Sequence, residues 1–157
     1  MKSLEITTSS AKETQKFACL FAKELLKSSL NRKGAFVVAL EGNLGGGKTT
    51  FAQGFARGLG VREKVLSPTF VILKSFKLHS PAGGSCFKKL VHIDAYRLKS
   101  ARELRSLGWQ DILKDKDTIV LVEWADRVQR ALPPAYIRIS FEFLNEHERR
   151  IIIEHAH

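Results

Sequence analysis

The segment Gly42-Asn43-Leu44-Gly45-Gly46-Gly47-Lys48-Thr49 satisfies G-x-x-x-x-G-K-[ST] at every fixed position. From average glycine usage, a chance match in a chain of this length is expected on the order of once in a few hundred sequences. The short apolar run Phe36 to Leu40 precedes it, and Phe51, Phe55 and Leu59 follow at helical spacing. This is the context of buried strand, loop and helix that a phosphate-binding loop requires. Glycines permit the dihedrals that turn successive N–H groups inward as a nest for phosphate oxygens, and a helix opening near Lys48 adds its positive dipole end. Lys48 can then reach the β- and γ-phosphates of a nucleotide, and the Thr49 hydroxyl can supply one ligand to Mg²⁺. Gly42, Gly45, Gly46, Gly47, Lys48 and Thr49 are therefore candidate residues for holding a magnesium nucleotide.

A phosphate loop does not specify the base or the fate of the γ-phosphate. A guanine-specific GTPase is expected to carry an N-K-x-D motif and a D-x-x-G switch. Asp115 and Asp117, in the run KDKD, form no such motif, and D-x-x-G does not occur. Adenine, and hence ATP with Mg²⁺, is the expected ligand.

The chain has 157 residues, 44% of them hydrophobic, enough for one core and too few for two ordinary domains. We expect a single P-loop ATPase domain over residues 1–157. No apolar run approaches the roughly 20 residues of a membrane span, and the N-terminal MKSLEITTSS lacks the apolar stretch of a secretory signal. A soluble, cytoplasmic protein without membrane contact is expected. Cys19 and Cys86 show neither metal-ligand spacing nor a disulfide framework and read as reduced thiols. The net charge of +10 suits nucleic acid, acidic protein faces and nucleotides alike. Lysines and arginines spread from Lys2 to Arg150, with small clusters at Lys88 and Lys89 and at Arg149 and Arg150. Both a generally basic solvated surface and a patch facing nucleic acid fit that distribution.

Further elements follow from periodicity. Ser10 stands three residues before Glu13 as in a capping box, and Phe17, Leu20, Phe21, Leu25 and Leu26 then recur at helical spacing, with Lys12, Lys16, Lys23 and Lys27 on a solvated face. Ser67-Pro68-Thr69-Phe70 places hydroxyls on either side of a proline, ahead of a strand-like run to Leu73; by itself it reads as a strand-entry turn rather than a functional loop. His92-Ile93-Asp94-Ala95-Tyr96-Arg97 ends the apolar run Leu90 to Ile93. Asp94 therefore lies near a strand terminus, where open α/β sheets bind ligands, whereas His92 reads as a packed or hydrogen-bonded side chain. Ile119-Val120-Leu121-Val122-Glu123-Trp124 is an apolar strand ending in a carboxylate. That is the shape of a Walker B element, whose acid holds Mg²⁺ directly or through water; the plain alternative is a solvated acid at a strand end.

The expected fold is a three-layer α/β P-loop NTPase domain with a mixed parallel and antiparallel sheet. Its parallel centre is expected near residues 36–40 and 118–123, completed by antiparallel strands near 69–77, 87–93, 135–143 and 149–153. Tyr136, Arg138, Ser140 and Glu142 alternate with Ile137, Ile139, Phe141 and Phe143, and all four prolines fall outside strand positions.

Taken together, the GNLGGGKTT loop, SPTF, HIDAYRL, ELRSLGWQDIL with Glu103, Gly108 and Asp111, and VEWADR resemble the TsaE (YjeE) family of ATPases. That family serves formation of the threonylcarbamoyl group on adenosine 37 of tRNA in bacteria. The resemblance extends from the capped N-terminal helix to Leu132-Pro133 and rests on the order and spacing of these segments. It implies that Thr49 and Glu123 coordinate Mg²⁺, that the Gly45 to Thr50 backbone and Lys48 hold the phosphates, and that Thr69 sits in a switch-like loop. It further implies that Asp94 supports the metal or the attacking water, making Lys48, Asp94 and Glu123 the catalytic set, and that Trp124 borders the nucleotide. The TsaB and TsaD proteins are the implied partners, with tRNA met indirectly or through their complex. The family often has Asp where this chain has Asn43, and it lacks so basic a balance; residues 79–89 read as a lengthened hairpin connection.

Two other functions are compatible with a P-loop. A small kinase would use Arg97, Arg102 and Arg105 in a mobile lid, and a nucleotide-switched module would touch tRNA through its basic surface. No recognisable finger motif brings an arginine to the P-loop or Glu123, although Arg97 and Arg127 lie near those segments in sequence, so slow hydrolysis by the isolated protein is expected.

Overall fold

Ile137, Ile139 and Phe141 alternate with polar neighbours on one of seven strands that hydrogen-bond into one sheet. The computed structural model describes residues 2–28, 32–43, 45–66, 71–79 and 85–156. Its elements are β1 (Ser3–Thr8), α1 (Ala11–Lys27), β2 (Phe36–Gly42), α2 (Lys48–Gly58), β3 (Leu73–Lys77), β4 (Lys89–Asp94), α3 (Ala101–Arg105), α4 (Trp109–Lys114), β5 (Thr118–Glu123), a 3₁₀ segment (Ala125–Ala131), β6 (Tyr136–Phe143) and β7 (Arg149–Ala156). The strand order is β1-β7-β6-β2-β5-β4-β3.

The mixed α/β sheet is as expected, but its parallel part is wider. β6, β2, β5 and β4 all run parallel to their neighbours within that group. β4 and β6, expected as antiparallel additions, are antiparallel only on their outer edges, to β3 and β7. Side-chain alternation reports which face a residue occupies and says nothing about the direction of the partner strand. The connection carries that information: β4 reaches β5 through α3 and α4, the crossover that a parallel pair requires.

β1 was not anticipated. It pairs antiparallel with β7 at the sheet edge, and most of its residues are exposed, so its alternation is only weakly apolar. The turn after it leads straight into α1, where Ser10 Oγ accepts from the Glu13 N–H at 3.1 Å. The Glu13 carboxylate reaches back to the Ser9 N–H, one residue before the position a capping box uses.

Opposite pleats of the sheet feed two cores. Val38, Leu40, Ile119, Leu121 and Ile139 pack under α1 and α2, while Val37, Ala39, Val120, Val122 and Ile93 pack against Leu104, Trp109 and Val128 on the other face. These are the three layers. The first core is aromatic, with Phe51 and Phe141 edge to face at 5.5 Å and Phe51 and Phe55 stacked at 6.0 Å. Leu20, expected on the buried face of α1, is instead 53% exposed, because that face is already filled by Phe17, Phe21, Leu25 and Leu26. α1 and α2 approach closely at Gly54, where a Cβ would lie 2.2 Å from the Gln15 carbonyl oxygen, and at Gly58, where it would lie 2.4 Å from that of Cys19.

On the second face Trp109 is fully buried and donates its indole N–H to the Ala131 carbonyl at 2.7 Å. That bond pins the end of the 3₁₀ segment. Cys19 and Cys86 are both free thiols. No helix among the described residues is long and apolar enough to cross a membrane.

Candidate functional site

The P-loop joins the carboxyl end of β2 to α2, and the parallel register of β2 with β5 puts Leu40 opposite Glu123. Parallel pairing of β4 with β5 then puts Asp94 opposite Glu123. Three strand ends and the first turn of a long helix therefore meet at one point on the sheet, where open α/β folds hold ligands.

Gly45 and Gly47 have φ of 78° and 99°, the left-handed region that glycine adopts without a Cβ penalty. Gly47 is the N-cap of α2 and its carbonyl accepts from the Phe51 N–H. The Gly46 N–H is used within the loop, donating to the Asn43 carbonyl at 3.0 Å. Gly42 closes β2 and offers its carbonyl to Lys48.

Lys48 is almost fully buried. Its ammonium donates to the carbonyls of Gly42 at 2.5 Å and Asn43 at 2.9 Å and lies 3.9 Å from the centroid of the Trp124 ring. Burial pushes its pKa below the usual lysine range, against the opposing pull of Glu123, Asp126 and Asp94. The Thr49 hydroxyl donates to Oε1 of Glu123 at 2.8 Å. Glu123 is buried, and its second oxygen is 2.6 Å from Nε2 of His92, whose imidazole N–H is the donor to a carboxylate. His92 is thus a buried, hydrogen-bonded side chain behind the acid.

Asp94 accepts from the Tyr96 N–H at 3.0 Å. Trp124 has φ of 57°, the one left-handed non-glycine among the described residues; for a bulky residue that conformation costs on the order of 1–3 kcal/mol. Its ring lies 4.9 Å from that of Tyr96, and the Arg127 guanidinium sits over both.

A cavity of about 780 Å³ gathers Gly45 to Thr50, Asp94, Glu123 and Trp124 on its walls. Thr69 and the rest of Ser67 to Phe70 lie outside the described residues. Arg97, a candidate lid arginine in the kinase alternative, also lines the cavity, and Ser10, Ala11, Thr14, Val71, Ile72, Tyr96, Glu146, His147 and Arg149, which were not singled out for the site from sequence, complete the lining. Arg149 corrects one expectation: an arginine does lie against the P-loop. Its Nε donates to the Gly45 carbonyl at 3.0 Å, and another of its nitrogens donates to those of Asn145 and Glu148. It stands 104 residues from Gly45 in the chain, and no motif announces a contact made by strand pairing alone.

The donor set suits a hard cation. Among the described residues no three His, Cys, Asp or Glu side chains converge. The Thr49 hydroxyl and the Glu123 carboxylate are adjacent oxygens beside a phosphate-type loop. Mg²⁺ is held in this way, by one or two protein oxygens plus phosphates and water.

Residues 8–151 match the family described as Threonylcarbamoyl adenosine biosynthesis protein TsaE. The chain belongs to the TsaE family. Among its relatives, the tRNA threonylcarbamoyladenosine biosynthesis protein TsaE of Bacillus subtilis is 35% identical over 151 residues, which are 96% of this chain and 85% of that one. The TsaE protein of Haemophilus influenzae is 35% identical over 131 residues, 83% of this chain and 77% of that one. The crystal structure of Bacillus subtilis YdiB superposes with a TM-score of 0.72 at 32% identity, covering 99% of this chain and 86% of the other. Family membership and that likeness fix the fold as the P-loop NTPase type seen in TsaE proteins.

Proposed function

We propose that this chain is a Mg-ATP-dependent ATPase acting in formation of threonylcarbamoyladenosine at position 37 of tRNA, together with the TsaB and TsaD proteins. The observation that carries the reading is the meeting of Lys48, Thr49, Asp94, Glu123 and Trp124 on one cavity beside the glycine loop. The family name supports the pathway, and the residues lining the cavity support the chemistry.

In this reading the loop amides and Lys48 hold the phosphates, and Lys48 exchanges its carbonyl partners for phosphate oxygens, a stronger charge-assisted pairing. Thr49 and Glu123 hold Mg²⁺, which would neutralise charge on the β- and γ-phosphates. His92 fixes the Glu123 carboxylate by occupying its second oxygen. Asp94, opposite Glu123 on the neighbouring strand, orients the water that attacks the γ-phosphate.

Turnover by the isolated protein is slow in this scheme. The Arg149 guanidinium already bonds three backbone carbonyls and Arg127 lies over the Tyr96 and Trp124 rings, and in this reading the partner complex, rather than Arg97 on the cavity wall, supplies the cation for the developing charge. The kinase alternative loses support, because of Arg97, Arg102 and Arg105 only Arg97 lines the cavity, and Arg105 donates to the Arg130 carbonyl. Incubation with labelled ATP and Mg²⁺ tests the reading: phosphate release without any acceptor is the expected result, and transfer to an added small-molecule acceptor without release would replace it with a kinase.

A further inference from the structure

The cations of this chain gather at the edge of the sheet opposite the P-loop. β2, β4 and β5 begin there and β3 ends there, with Lys77 paired to Lys89 and Lys89 to Thr118. Arg32 and Lys33 reach this edge just before β2, and Lys114 and Lys116 just before β5. Backbone bonds hold the four segments together. The Ala35 N–H donates to the Leu113 carbonyl at 2.9 Å, the Lys88 N–H to that of Asp117 at 2.8 Å and the Leu78 N–H to that of Lys88 at 3.0 Å. The Arg32 guanidinium fastens the first segment to the last. It donates to the Lys116 carbonyl at 2.8 Å and sits over the Phe87 ring, 4.1 Å from its centroid.

These segments carry seven lysines and arginines against two carboxylates, a surplus of five in a chain whose net charge is +10. Both carboxylates are engaged within the patch, Asp117 with Lys88 at 3.5 Å and Asp115 with Lys89 at 3.2 Å. Lys33, Lys77, Lys114 and Lys116 are exposed and pair with no carboxylate among the described residues. Four adjacent strands at a spacing of roughly 4.8 Å make the edge about 14 Å wide. A strip of unpaired cations of that width suits the dense, regular charge of a double helix, one per roughly 1.7 Å of its axis. No large apolar side chain among the described residues of the patch is exposed, whereas a surface that enters a lipid interface sets apolar side chains beside its cations.

We propose that this edge binds the phosphate backbone of double-helical RNA without regard to base sequence. The tRNA named by the family supplies the choice of RNA, and in that respect the inference rests on the pathway reading above. Lysine contacts to phosphate fix position and carry no sequence information. The seven residues of β2 separate this edge from the P-loop by about 20 Å, so RNA at one end of the strands leaves the cavity at the other end open to nucleotide.

Binding of labelled tRNA by the full chain is followed by fluorescence anisotropy between about 50 and 200 mM salt. Two triple variants remove the same charge: Lys33→Gln, Lys77→Gln and Lys116→Gln at the edge, and Lys12→Gln, Lys16→Gln and Lys23→Gln on the solvated face of α1. All six side chains are exposed and none lines the cavity. The edge variant is expected to bind tRNA at least tenfold more weakly, with a double-logarithmic salt slope shallower by roughly 2 to 3, while the α1 variant keeps the wild-type slope. Absence of tRNA binding by the wild type, equal losses in the two variants, or binding of duplex DNA or phosphatidylserine vesicles in place of tRNA would overturn the assignment. ATP binding, titrated on the same proteins, reports separately on the Mg-ATP reading, and its failure in the wild type would leave the RNA result untouched.

Discussion

The Thr49 hydroxyl donates to the Glu123 carboxylate at 2.8 Å, joining the first turn of α2 to the end of β5 across 74 residues of chain. The two oxygens that would share a cation are thus already neighbours, and each orients the other. We expect Thr49→Ala and Glu123→Ala each to weaken Mg²⁺-dependent ATP binding by tenfold or more, about 1.4 kcal/mol. The double variant should lose less than the sum, as two ligands of one ion would. Strict additivity in a calorimetric double-mutant cycle would assign the two residues to separate tasks.

Lys48 separates folding from chemistry. Its ammonium bonds the carbonyls of Gly42, at the end of β2, and Asn43 and faces the Trp124 ring, and the lysine itself belongs to neither hydrophobic core. Lys48→Ala should keep its far-UV circular dichroism and its cooperative melt while losing ATP hydrolysis. Hydrolysis at the wild-type rate in that folded variant is incompatible with a P-loop role.

The helix pair behind the site depends on two missing side chains. Alanine at Gly54 or Gly58 gains about 1 kcal/mol of helix propensity, yet its Cβ would meet the α1 backbone at 2.2 or 2.4 Å. Overpacking of this kind costs about 1–3 kcal/mol, so a lower melting temperature is expected for each variant. A higher one would show that α1 can move away freely.

Trp109 anchors the segment that follows Trp124. Trp109→Phe keeps a ring in the second core and leaves the Ala131 carbonyl without its donor, at a cost of about 1–3 kcal/mol by urea titration. A variant as stable as the wild type would mean that this carbonyl finds another partner.

How much of this was legible in the sequence depends on the range of the interaction. The loop from Gly42 to Thr49, the Ser10 cap and the strand ending at Glu123 are local patterns, and each stands where its pattern put it. That His92 is a packed, hydrogen-bonded side chain was also read locally, whereas its partner Glu123 follows only from the pairing of β4 with β5. What the sequence did not yield is carried by pairing between distant strands. The parallel direction of β4 and β6, the edge strand β1 with its exposed Leu4, and the contact of Arg149 with Gly45 all depend on which strand lies beside which. Residue types alone do not encode that choice, because period-2 alternation looks the same in either direction and on either edge.

Activation by partners is the central claim, and one comparison addresses it most directly. An arginine supplied in trans can accelerate phosphoryl transfer by roughly 10³ to 10⁵, and here the neighbouring Arg149 is held by backbone carbonyls. Steady-state phosphate release from ATP should be measured for the purified protein alone and with the TsaB and TsaD proteins of the same organism, with ADP as the control for complex formation. Slow release alone, a rise of at least a hundredfold with both partners, and a complex retained with ATP and lost with ADP are predicted. Fast release by the isolated protein, unchanged when TsaB and TsaD are added, would contradict the account.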